Sequence, residues 1–419
     1  MNYHRWQEQN IIQALDHRRV ILLAGARQCG KTTLAKQLSK TLTKIKKKPS
    51  PIYYTLDDST LLDAALLDPH GFVTHDQQLM IIDEVQRAPR LLQAIKMDVD
   101  ITKNPGRFLL TGSANIQSLP SVNESLAGRV RKIDLKPLAQ GEIVGSKPDF
   151  LRNAFKQKFS KSPSKYTKDD YLELAFKGGY PEAIEQKNLR ERKRWHNDYI
   201  DTILERDLQD IAQIRRKDSI RKLVVVLAAW SSKYIDITGI GQELSVTRPT
   251  LETYINALEA LFLIDRIRPW QTSDYDRISK QEKMFMVDTG LMTSLLSWAP
   301  EKVRLDGALN GKLIESYVYT QLIAILTSDD NEYDLYHYRD REKREVDFII
   351  QHENGDILGI EVKAGSAVNA DSFKHLRWFK ERMADKVEKK FTGIVLYTGE
   401  HSIPFGKNMW AVPISALWQ

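Results

Sequence analysis

The stretch GARQCGKTT, residues 25–33, constrains the fold more than any other part of the chain, and it follows the apolar run VILLA. It fits the pattern G-x-x-x-x-G-K-[ST] at every fixed position, and a helical pattern runs from Lys31 to Leu42 after it. A strand before such a loop and a helix after it are the context that a phosphate-binding loop requires. The sequence therefore predicts a strand, a phosphate loop and a helix in succession, which is how many α/β folds begin.

The residue types of this loop suit a bound nucleotide. Two glycines let the backbone turn its N–H groups toward phosphate oxygens, and the start of the helix adds positive potential. Lys31 would bring a point charge to the β- and γ-phosphates, and the Thr32 hydroxyl is a ligand for Mg²⁺. The expected cofactors are therefore ATP and Mg²⁺. The loop residues expected to contact the nucleotide are Gly25, Gln28, Cys29, Gly30, Lys31, Thr32 and Thr33.

A second apolar run, LMII at 79–82, ends in Asp83 and Glu84. Four apolar residues suit a strand that is buried on both faces. Asp83 is expected to hold the Mg²⁺ of the nucleotide, and Glu84 is expected to polarise the attacking water as a general base. Alone, such a run would fit any strand that meets solvent. Because it accompanies a phosphate loop, ATP hydrolysis is the preferred interpretation.

Two later segments supply further candidates for the ATP site. The run FLLTGS, residues 108–113, ends in hydroxyl groups. Thr111 or Ser113 would touch the γ-phosphate or the water, or would cap a helix, and the sequence does not choose between them. Arg129 precedes a strand-like run at 130–135 and could be an arginine finger for a neighbouring subunit, which would require a homo-oligomer. A surface arginine at a helix end is the other interpretation.

In their order along the chain, several segments resemble those of the AAA-type ATPases of bacteria and archaea that carry a C-terminal domain of unknown function, DUF4143. These segments are GARQCGKTT, LMIIDEVQ, FLLTGSA, SLAGRV, GGYPEA, YIDTILERDL and MVDTGL. The resemblance covers nearly the whole length. It implies an ATPase core with Asp83 and Glu84 in their usual roles, and it favours Arg129 as a finger.

Residues 237–258 have the pattern of two helices joined by a tight turn, with Pro249 near the start of the second helix, where proline is tolerated. Strand-like runs at 262–268 and 283–287 would complete a winged helix-turn-helix. The second helix would expose Arg248, Thr250, Thr253 and Asn256, together with Glu252 and Glu259. Because the acids would repel phosphates, DNA contact and a packing or dimer-contact role both stay open.

Near the C-terminus, the segments EVDFII and LGIEVK flank Asn354-Gly355, which is a strong hairpin signal. Glu361 and Lys363 are two residues apart on a strand and so share one face. A two-residue turn would put Asp347 opposite Val362. Asp347 and Glu361 can therefore meet only if a bulge or a loop of odd length shifts the register.

Asp347 followed by Glu361-x-Lys363 resembles the PD-(D/E)xK nuclease superfamily, with Val346 in place of the proline. The resemblance implies that Asp347 and Glu361 hold Mg²⁺ or Mn²⁺, and that Lys363 orients water or stabilises the pentavalent phosphate. Glu315 matches the upstream acid of the superfamily. A charged hairpin rim is the alternative, and such folds also serve as inert DNA-binding modules.

Composition limits the classes of function that remain. Hydrophobic residues make up 42% of the chain and charged residues 28%, as in ordinary soluble proteins. The net charge of +7 permits a polyanionic partner such as DNA without requiring one. No run is long enough to span a membrane, and residues 1–10 lack the apolar core of a signal peptide, so neither feature is expected. The single cysteine, Cys29, excludes an internal disulfide, so a cytoplasmic protein is expected.

The fold class predicted from these features is α/β, with four successive segments. They are an AAA-type P-loop ATPase domain with a parallel sheet at 1–145, a linker and helical region at 146–235, a winged helix-turn-helix at 236–300, and a restriction-endonuclease-like α/β domain at 301–419. The favoured function is an ATP-driven enzyme that acts on DNA. The alternative is a regulatory or scaffold protein that ATP switches and whose C-terminal domain only binds a partner.

Overall fold

The computed structural model describes residues 3–46, 50–76, 78–112, 128–208, 217–271, 281–329, 333–384 and 389–419. The chain forms two compact units. The first comprises Met1–Pro137, Ile200–Arg215 and Thr253–Leu263, and the second comprises Leu138–Tyr199, Arg216–Glu252 and Ile264–Gln419. These units are discontinuous in sequence and therefore do not coincide with the four successive segments inferred above. Ser113, one of the candidates for the ATP site, lies outside the described residues.

The first unit is built on a parallel sheet of five strands. The strands are β1 Val20–Gly25, β2 Ile52–Thr55, β3 Met80–Asp83, β4 Phe108–Gly112 and β5 Val130–Leu135. Their order is β2-β3-β4-β1-β5, and every pair is parallel. The predicted parallel sheet is confirmed. Since β1, β3 and β4 run in the same direction, their carboxyl ends meet at one edge of the sheet.

Five helices accompany this sheet: α1 Gln7–His17, α2 Lys31–Lys46, α3 Ser59–Leu67, α4 Pro69–Val73 and α5 Leu91–Ile101. One core cluster joins buried side chains of the strands, such as Ile82 and Leu110, to Ile95 of α5. The Asp58 side chain caps α3 by accepting hydrogen bonds from Thr60 N and Leu61 N.

The second unit contains a mixed sheet of nine strands. They are β6 Lys233–Tyr234, β7 Ile264–Pro269, β8 Lys283–Met286, β9 Tyr333–Arg339, β10 Glu345–His352, β11 Ile357–Lys363, β12 Phe391–Tyr397, β13 Ile403–Pro404 and β14 Met409–Pro413. Their order is β13-β14-β12-β11-β10-β9-β7-β8-β6. The pairs β9–β10 and β10–β11 are antiparallel, whereas β11–β12 and β12–β14 are parallel.

The remaining helices are mostly short. They are α6 Gln140–Val144, α7 Phe150–Phe155, α8 Lys168–Lys177, α9 Pro181–Ile184, α10 Leu189–Thr202, α11 Lys217–Trp230, α12 Ile237–Leu244, α13 Arg248–Ala260, α14 Thr289–Leu295, α15 Pro300–Leu305, α16 Gly307–Ser328 and α17 Lys374–Phe379. π-helical turns at Ile203–Asp207 and Lys380–Ala384 extend α10 and α17. Short 3₁₀ helices lie at Val85–Arg87, Ala370–Phe373 and Ile414–Leu417.

The region predicted as a winged helix-turn-helix contains the expected elements, namely α12, α13 and the antiparallel pair β7–β8. These two strands do not form a separate wing, because β7 also pairs with β9 in the same sheet. The sheet is therefore continuous across the boundary predicted between residues 300 and 301. Pairing of β7 with β9 also removes an open strand edge.

Candidate functional site

The phosphate loop lies between β1 and α2 and has the backbone that its sequence requires. A Cβ atom at Gly25 would lie 2.4 Å from the carbonyl oxygen of Leu135 on the neighbouring strand, so only glycine fits there. Gly30 has a φ of +102°, a conformation that glycine adopts readily. Gln28 and Thr33 are exposed, whereas Cys29 is buried. Thus Gly25 is required because another strand passes close to its backbone, and Gly30 is suited to its positive φ.

Lys31 folds back on its own loop. Its ammonium donates hydrogen bonds to Gly25 O over 3.0 Å and to Ala26 O over 2.8 Å, and the residue is 5% exposed. The Arg5 guanidinium donates one hydrogen bond to Cys29 O in the loop and another to Lys136 O, just after β5. The lysine is therefore within the loop, where the phosphates of a nucleotide would replace carbonyl oxygens as its partners.

Asp83 is the centre of the polar contacts at this edge of the sheet. It is 1% exposed, and its carboxylate accepts hydrogen bonds from the hydroxyls of Thr32 over 2.9 Å, Tyr53 over 2.9 Å, and Thr111. A threonine hydroxyl and a carboxylate are the oxygen ligands that Mg²⁺ prefers. These residues fit a magnesium site beside the phosphate loop. Of the two hydroxyl candidates, the structure brings Thr111 into this group.

Glu84 follows the strand in a strained conformation. Its φ is +58°, which is uncommon for a residue other than glycine and often marks a functional site. The backbone N–H of Glu84 donates to Thr111 Oγ1 over 3.2 Å, and the side chain accepts a hydrogen bond from Gln86 Nε2. The carboxylate is half-buried and lies next to Asp83 in sequence. In this structure, therefore, Gln86 holds the predicted general base.

Arg129 lies at the opposite edge of the sheet from the phosphate loop. It precedes β5, whose first residue Val130 pairs with Val20 at the start of β1, whereas the loop follows the end of β1. Six residues of strand span about 20 Å, so Arg129 is far from the loop of its own chain. It forms an ion pair with Asp100. The structure does not bring Arg129 together with the other ATP-site residues.

An ion pair that the sequence analysis missed reaches the phosphate loop. Arg27 Nη1 lies 2.7 Å from Asp207 Oδ1, and the Asp207 side chain is only 10% exposed. Asp207 ends the π-helical turn Ile203–Asp207. Since the two residues are 180 positions apart, no local pattern could have linked them.

The second candidate site is a carboxylate cluster, which we define as Glu315, Glu345, Asp347 and Glu361 with Lys283 and Lys363. Its geometry depends on the register of β10 and β11, in which Phe348 pairs with Ile360. The same register puts Asp347 opposite Glu361. His352 N donates to Asp356 O over 3.0 Å and closes a three-residue loop. The loop of odd length that the predicted site requires is therefore present.

Lys283 is the residue that the sequence analysis missed in this cluster. Its Nζ lies 2.6 Å from Glu315 Oε1, 2.9 Å from Glu345 Oε1 and 3.5 Å from Asp347 Oδ1. Burial alone would lower the pKa of Lys283, but the charges of these three acids outweigh burial and raise it well above its usual range. The only sequence signal was a lysine at the start of the apolar run KMFM.

The strand β11 supplies the other half of the cluster. Lys363 Nζ lies 3.2 Å from Glu361 Oε2, and Asp347 Oδ2 accepts a hydrogen bond from Val362 N over 2.8 Å. Burial, and then repulsion from Asp347, raise the pKa of Glu361. Burial also raises the pKa of Glu315, against the attraction of Lys283. The predicted residues Glu315, Asp347, Glu361 and Lys363 thus belong to one network.

The carboxylates of this network are paired with the ammonium groups of Lys283 and Lys363. Among the described residues, no group of three or more His, Cys, Asp and Glu side chains is arranged to hold a metal ion. The donor types nevertheless suit a divalent ion, because they are carboxylates, and Glu361 Oε1 is buried without a hydrogen-bond partner. Metal binding at this cluster stays a prediction.

Three family models match separate parts of the chain. Residues 17–144 match a model described as an AAA domain, and residues 310–417 match the domain of unknown function DUF4143. Residues 168–302 match the domain of unknown function DUF8612. The first two matches confirm the AAA-type and DUF4143 parts of the resemblance. The nuclease-like character of the C-terminal part is not among these matches.

The chain is similar to proteins of bacteria and archaea over nearly its whole length. An uncharacterized protein of Mycobacterium tuberculosis is 27% identical over 402 residues, which cover 96% of this chain and 81% of that protein. An uncharacterized protein of Methanocaldococcus jannaschii is 23% identical over 412 residues, which cover 91% of this chain and 84% of that protein.

Two solved structures are similar to parts of the chain. A Walker-type ATPase of Pyrococcus abyssi has a TM-score of 0.40 and 13% identity, covering 70% of this chain and 96% of that chain. AMPPCP-bound DnaA from Aquifex aeolicus has a TM-score of 0.28 and 16% identity, covering 60% of this chain and 86% of that chain. In the parts of the chain that the structure describes, no helix is long and apolar enough to cross a membrane.

Proposed function

We propose that the chain is a Mg²⁺-dependent ATPase that acts on DNA. The observation that carries the ATPase is the contact between the Thr32 hydroxyl and the Asp83 carboxylate, 2.9 Å apart beside the phosphate loop. The two oxygen ligands that a nucleotide-bound Mg²⁺ needs from the protein are thereby together. The match of residues 17–144 to an AAA domain supports the same function.

The roles proposed for the surrounding side chains follow from their contacts. Lys31 would exchange its two carbonyl partners for the β- and γ-phosphates, which carry full negative charge. Glu84 would accept a proton from the attacking water once Gln86 releases its carboxylate. Thr111 would hold Asp83 in the orientation that metal binding requires. Gly25, Gln28, Cys29, Gly30 and Thr33 would complete the nucleotide-binding loop.

Arg129 would act on the nucleotide of another subunit, because it lies at the sheet edge away from its own loop. In the ion pair with Asp100 it is held near the surface, with 30% of its side chain exposed. A neighbouring γ-phosphate would compete with Asp100 for the guanidinium. This role requires a homo-oligomer, which we propose as the active form.

For the second unit, we propose a divalent-ion site that cleaves or binds DNA. Four carboxylates face two ammonium groups in the cluster, so that two negative charges lack a counter-charge when all the acids are ionised. Glu315, Asp347 and Glu361 would hold one Mg²⁺ or Mn²⁺, which when bound supplies the Lewis acid for phosphodiester hydrolysis. Lys363, which is 41% exposed, would orient water or stabilise the phosphate.

A second candidate function is that of an ATP-switched regulator or scaffold, in which this domain binds a partner without cutting DNA. The observation in its favour is that Arg248, the first residue of α13, is paired with Glu252 over 2.8 Å. An arginine held by an acid is less available to DNA phosphates. In either function, we propose a cytoplasmic protein, since its single cysteine cannot form an internal disulfide.

The experiment uses purified full-length protein. Steady-state phosphate release from ATP, with and without Mg²⁺, tests the ATPase, and Mg²⁺-dependent turnover is expected. Gel assays with linear, circular and branched DNA, in Mg²⁺ or Mn²⁺ and with or without ATP, test the DNA function. Cleavage supports the nuclease; DNA binding without cleavage supports a binding module; neither result with any DNA favours the regulator.

A further inference from the structure

Lys283 is a buried, charged side chain of the carboxylate cluster, and it has no role in the hydrolysis proposed for that cluster. It lies on β8 in the run KMFM, in which all four residues are buried. Its side chain is 1% exposed, and lysine is almost never buried to this extent unless it is paired. The elements around it provide the partners.

Three carboxylates from α16 and β10 surround the ammonium. Glu315, Glu345 and Asp347 lie within 3.5 Å of Nζ. The ammonium donates hydrogen bonds to Glu345 and Asp347, and it forms an ion pair with Glu315 Oε1 at 2.6 Å. Glu315 and Asp347 are also ligands in the proposed divalent-ion site. The same two carboxylates therefore already serve an internal cation.

We propose that Lys283 is a built-in cation of the carboxylate cluster and competes with a divalent metal ion for Glu315 and Asp347. The inference rests on the metal site proposed above and specifies how that site is regulated. Carboxylate oxygens that are paired with the Lys283 ammonium are not free for a metal, and an ammonium a few ångströms away repels a dication. Lys283 would therefore hold the acids in place while keeping the affinity for divalent ions low.

Glu361 indicates that the cluster is open to a further cation and is not a closed set of ion pairs. It is 6% exposed, and its Oε1 has no hydrogen-bond partner among the described residues. Its other carboxylate oxygen lies 3.2 Å from Lys363 Nζ. A buried carboxylate oxygen without a partner is unfavourable. Lys283 therefore compensates only part of the negative charge, and a divalent ion would supply the rest.

The variant that tests the competition is Lys283→Met, which keeps the length of the side chain and removes its charge. Lys233→Met is the matched control, because Lys233 is exposed on β6 and its strand pairs with β8. The double variant Lys283→Met with Glu345→Gln removes one positive and one negative charge together. It keeps the net charge of the cluster and serves where the single variant does not fold.

The measurement is a titration of full-length protein with Mn²⁺ in the absence of nucleotide, with free Mn²⁺ followed by electron paramagnetic resonance. We expect Lys283→Met to bind Mn²⁺ at least tenfold more tightly than the wild type, and Lys233→Met to bind as the wild type does. Adding Asp347→Asn should abolish the gain, which assigns it to the cluster. Mn²⁺ should also raise the Tm of Lys283→Met more than that of the wild type.

Equal or weaker Mn²⁺ binding by Lys283→Met, or by the double variant where the single variant does not fold, overturns the competition. The result is independent of the proposed DNA function. Tight binding by Lys283→Met without DNA cleavage leaves the competition standing and removes the nuclease. DNA cleavage by the wild type without any gain in Lys283→Met leaves the nuclease and removes the competition.

Discussion

Tyr53 donates a hydrogen bond from its phenol to Asp83 Oδ2, and the two oxygens are 2.9 Å apart. Burial, and then the charge of Asp83, raise the pKa of Tyr53. The phenol therefore stays protonated at neutral pH and continues to donate. Thr32 and Thr111 donate to the same carboxylate. Three hydroxyls thus fix the orientation of the carboxylate proposed to hold the magnesium ion.

Tyr53→Phe should lower the affinity of the ATP site for Mg²⁺, because a ligand carboxylate that loses an orienting hydrogen bond binds its metal less well. We expect the Mg²⁺ concentration for half-maximal rate to rise on the order of tenfold. The affinity for ATP without Mg²⁺ should not change. Tyr54→Phe is the control, since Tyr54 packs its ring against Phe72. An unchanged Mg²⁺ dependence in Tyr53→Phe would exclude this role.

Lys31→Ala should abolish ATP binding, and Glu84→Gln should retain binding but lose turnover. In the proposed mechanism, the lysine provides charge for the phosphates, whereas the glutamate acts only as the base. For the second variant we expect a decrease in rate of about 10²- to 10⁴-fold. Nucleotide affinity and steady-state phosphate release measure the two effects separately. Turnover of Glu84→Gln at the wild-type rate would remove Glu84 from the mechanism.

Arg129→Ala should lose ATP hydrolysis while it keeps ATP binding. Mixing it with Lys31→Ala should restore part of the activity, because one variant contributes an intact pocket and the other an intact finger. Arg131 lies on β5 and donates a hydrogen bond to Asn10; Arg131→Ala is the control and should stay active. If mixed oligomers form and no ratio of the two proteins restores activity, Arg129 is not a finger.

Asp347→Ala and Lys363→Ala should each stop DNA cleavage and leave ATP hydrolysis unchanged, because both residues belong to the second unit. Gel assays in Mg²⁺ or Mn²⁺ measure the first effect, and phosphate release measures the second. Lys389→Ala is the control, since Lys389 is exposed and donates a hydrogen bond to Asn354 O in the hairpin loop. Cleavage that survives in Asp347→Ala would have to come from another site.

The contribution of His337 to the stability of the second unit should be lost as the pH falls below about 6.5, the ordinary pKa of histidine. Burial, and then Lys283, lower the pKa of His337 to about 3. At this site the folded protein therefore binds fewer protons than the unfolded chain between these two pKa values. The contribution of His337 to stability is complete above the unfolded pKa and decreases as the pH falls toward the folded one. Each pH unit in that window should remove about 1.4 kcal/mol of this contribution.

In His337→Gln, the free energy of unfolding should change less with pH, by about 1.4 kcal/mol per pH unit, because glutamine does not titrate. Glutamine can still donate a hydrogen bond to Gln281 O, as His337 Nε2 does. Urea unfolding followed by tryptophan fluorescence measures it. Of the eight tryptophans, only Trp6 lies in the first unit, so the signal reports mainly on the second. An equal slope in both proteins would show that His337 is not the source.

Much of the ATP site was predictable because it is built from short-range patterns. An apolar strand, a glycine-containing loop and a helix start follow one another between Val20 and Lys46. Asp83 was predictable because parallel strands of such a sheet end at one edge. Tyr53 was not, although it lies on β2 next to β3, because an apolar strand run gives no sign of which hydroxyl will face a carboxylate.

The sequence alone determined the fold class of the first unit, the phosphate loop and the residue types of the carboxylate cluster, since backbone propensity and burial pattern act over a few residues. Only the tertiary structure decided the partners of those groups. Asp347 meets Glu361 because the hairpin loop has three residues, and Lys283 meets three acids because β8 joins a sheet made mostly from residues further along the chain. Such contacts depend on strand register and sheet order. The few residues around a charged side chain in an apolar run do not show which strands will lie beside it.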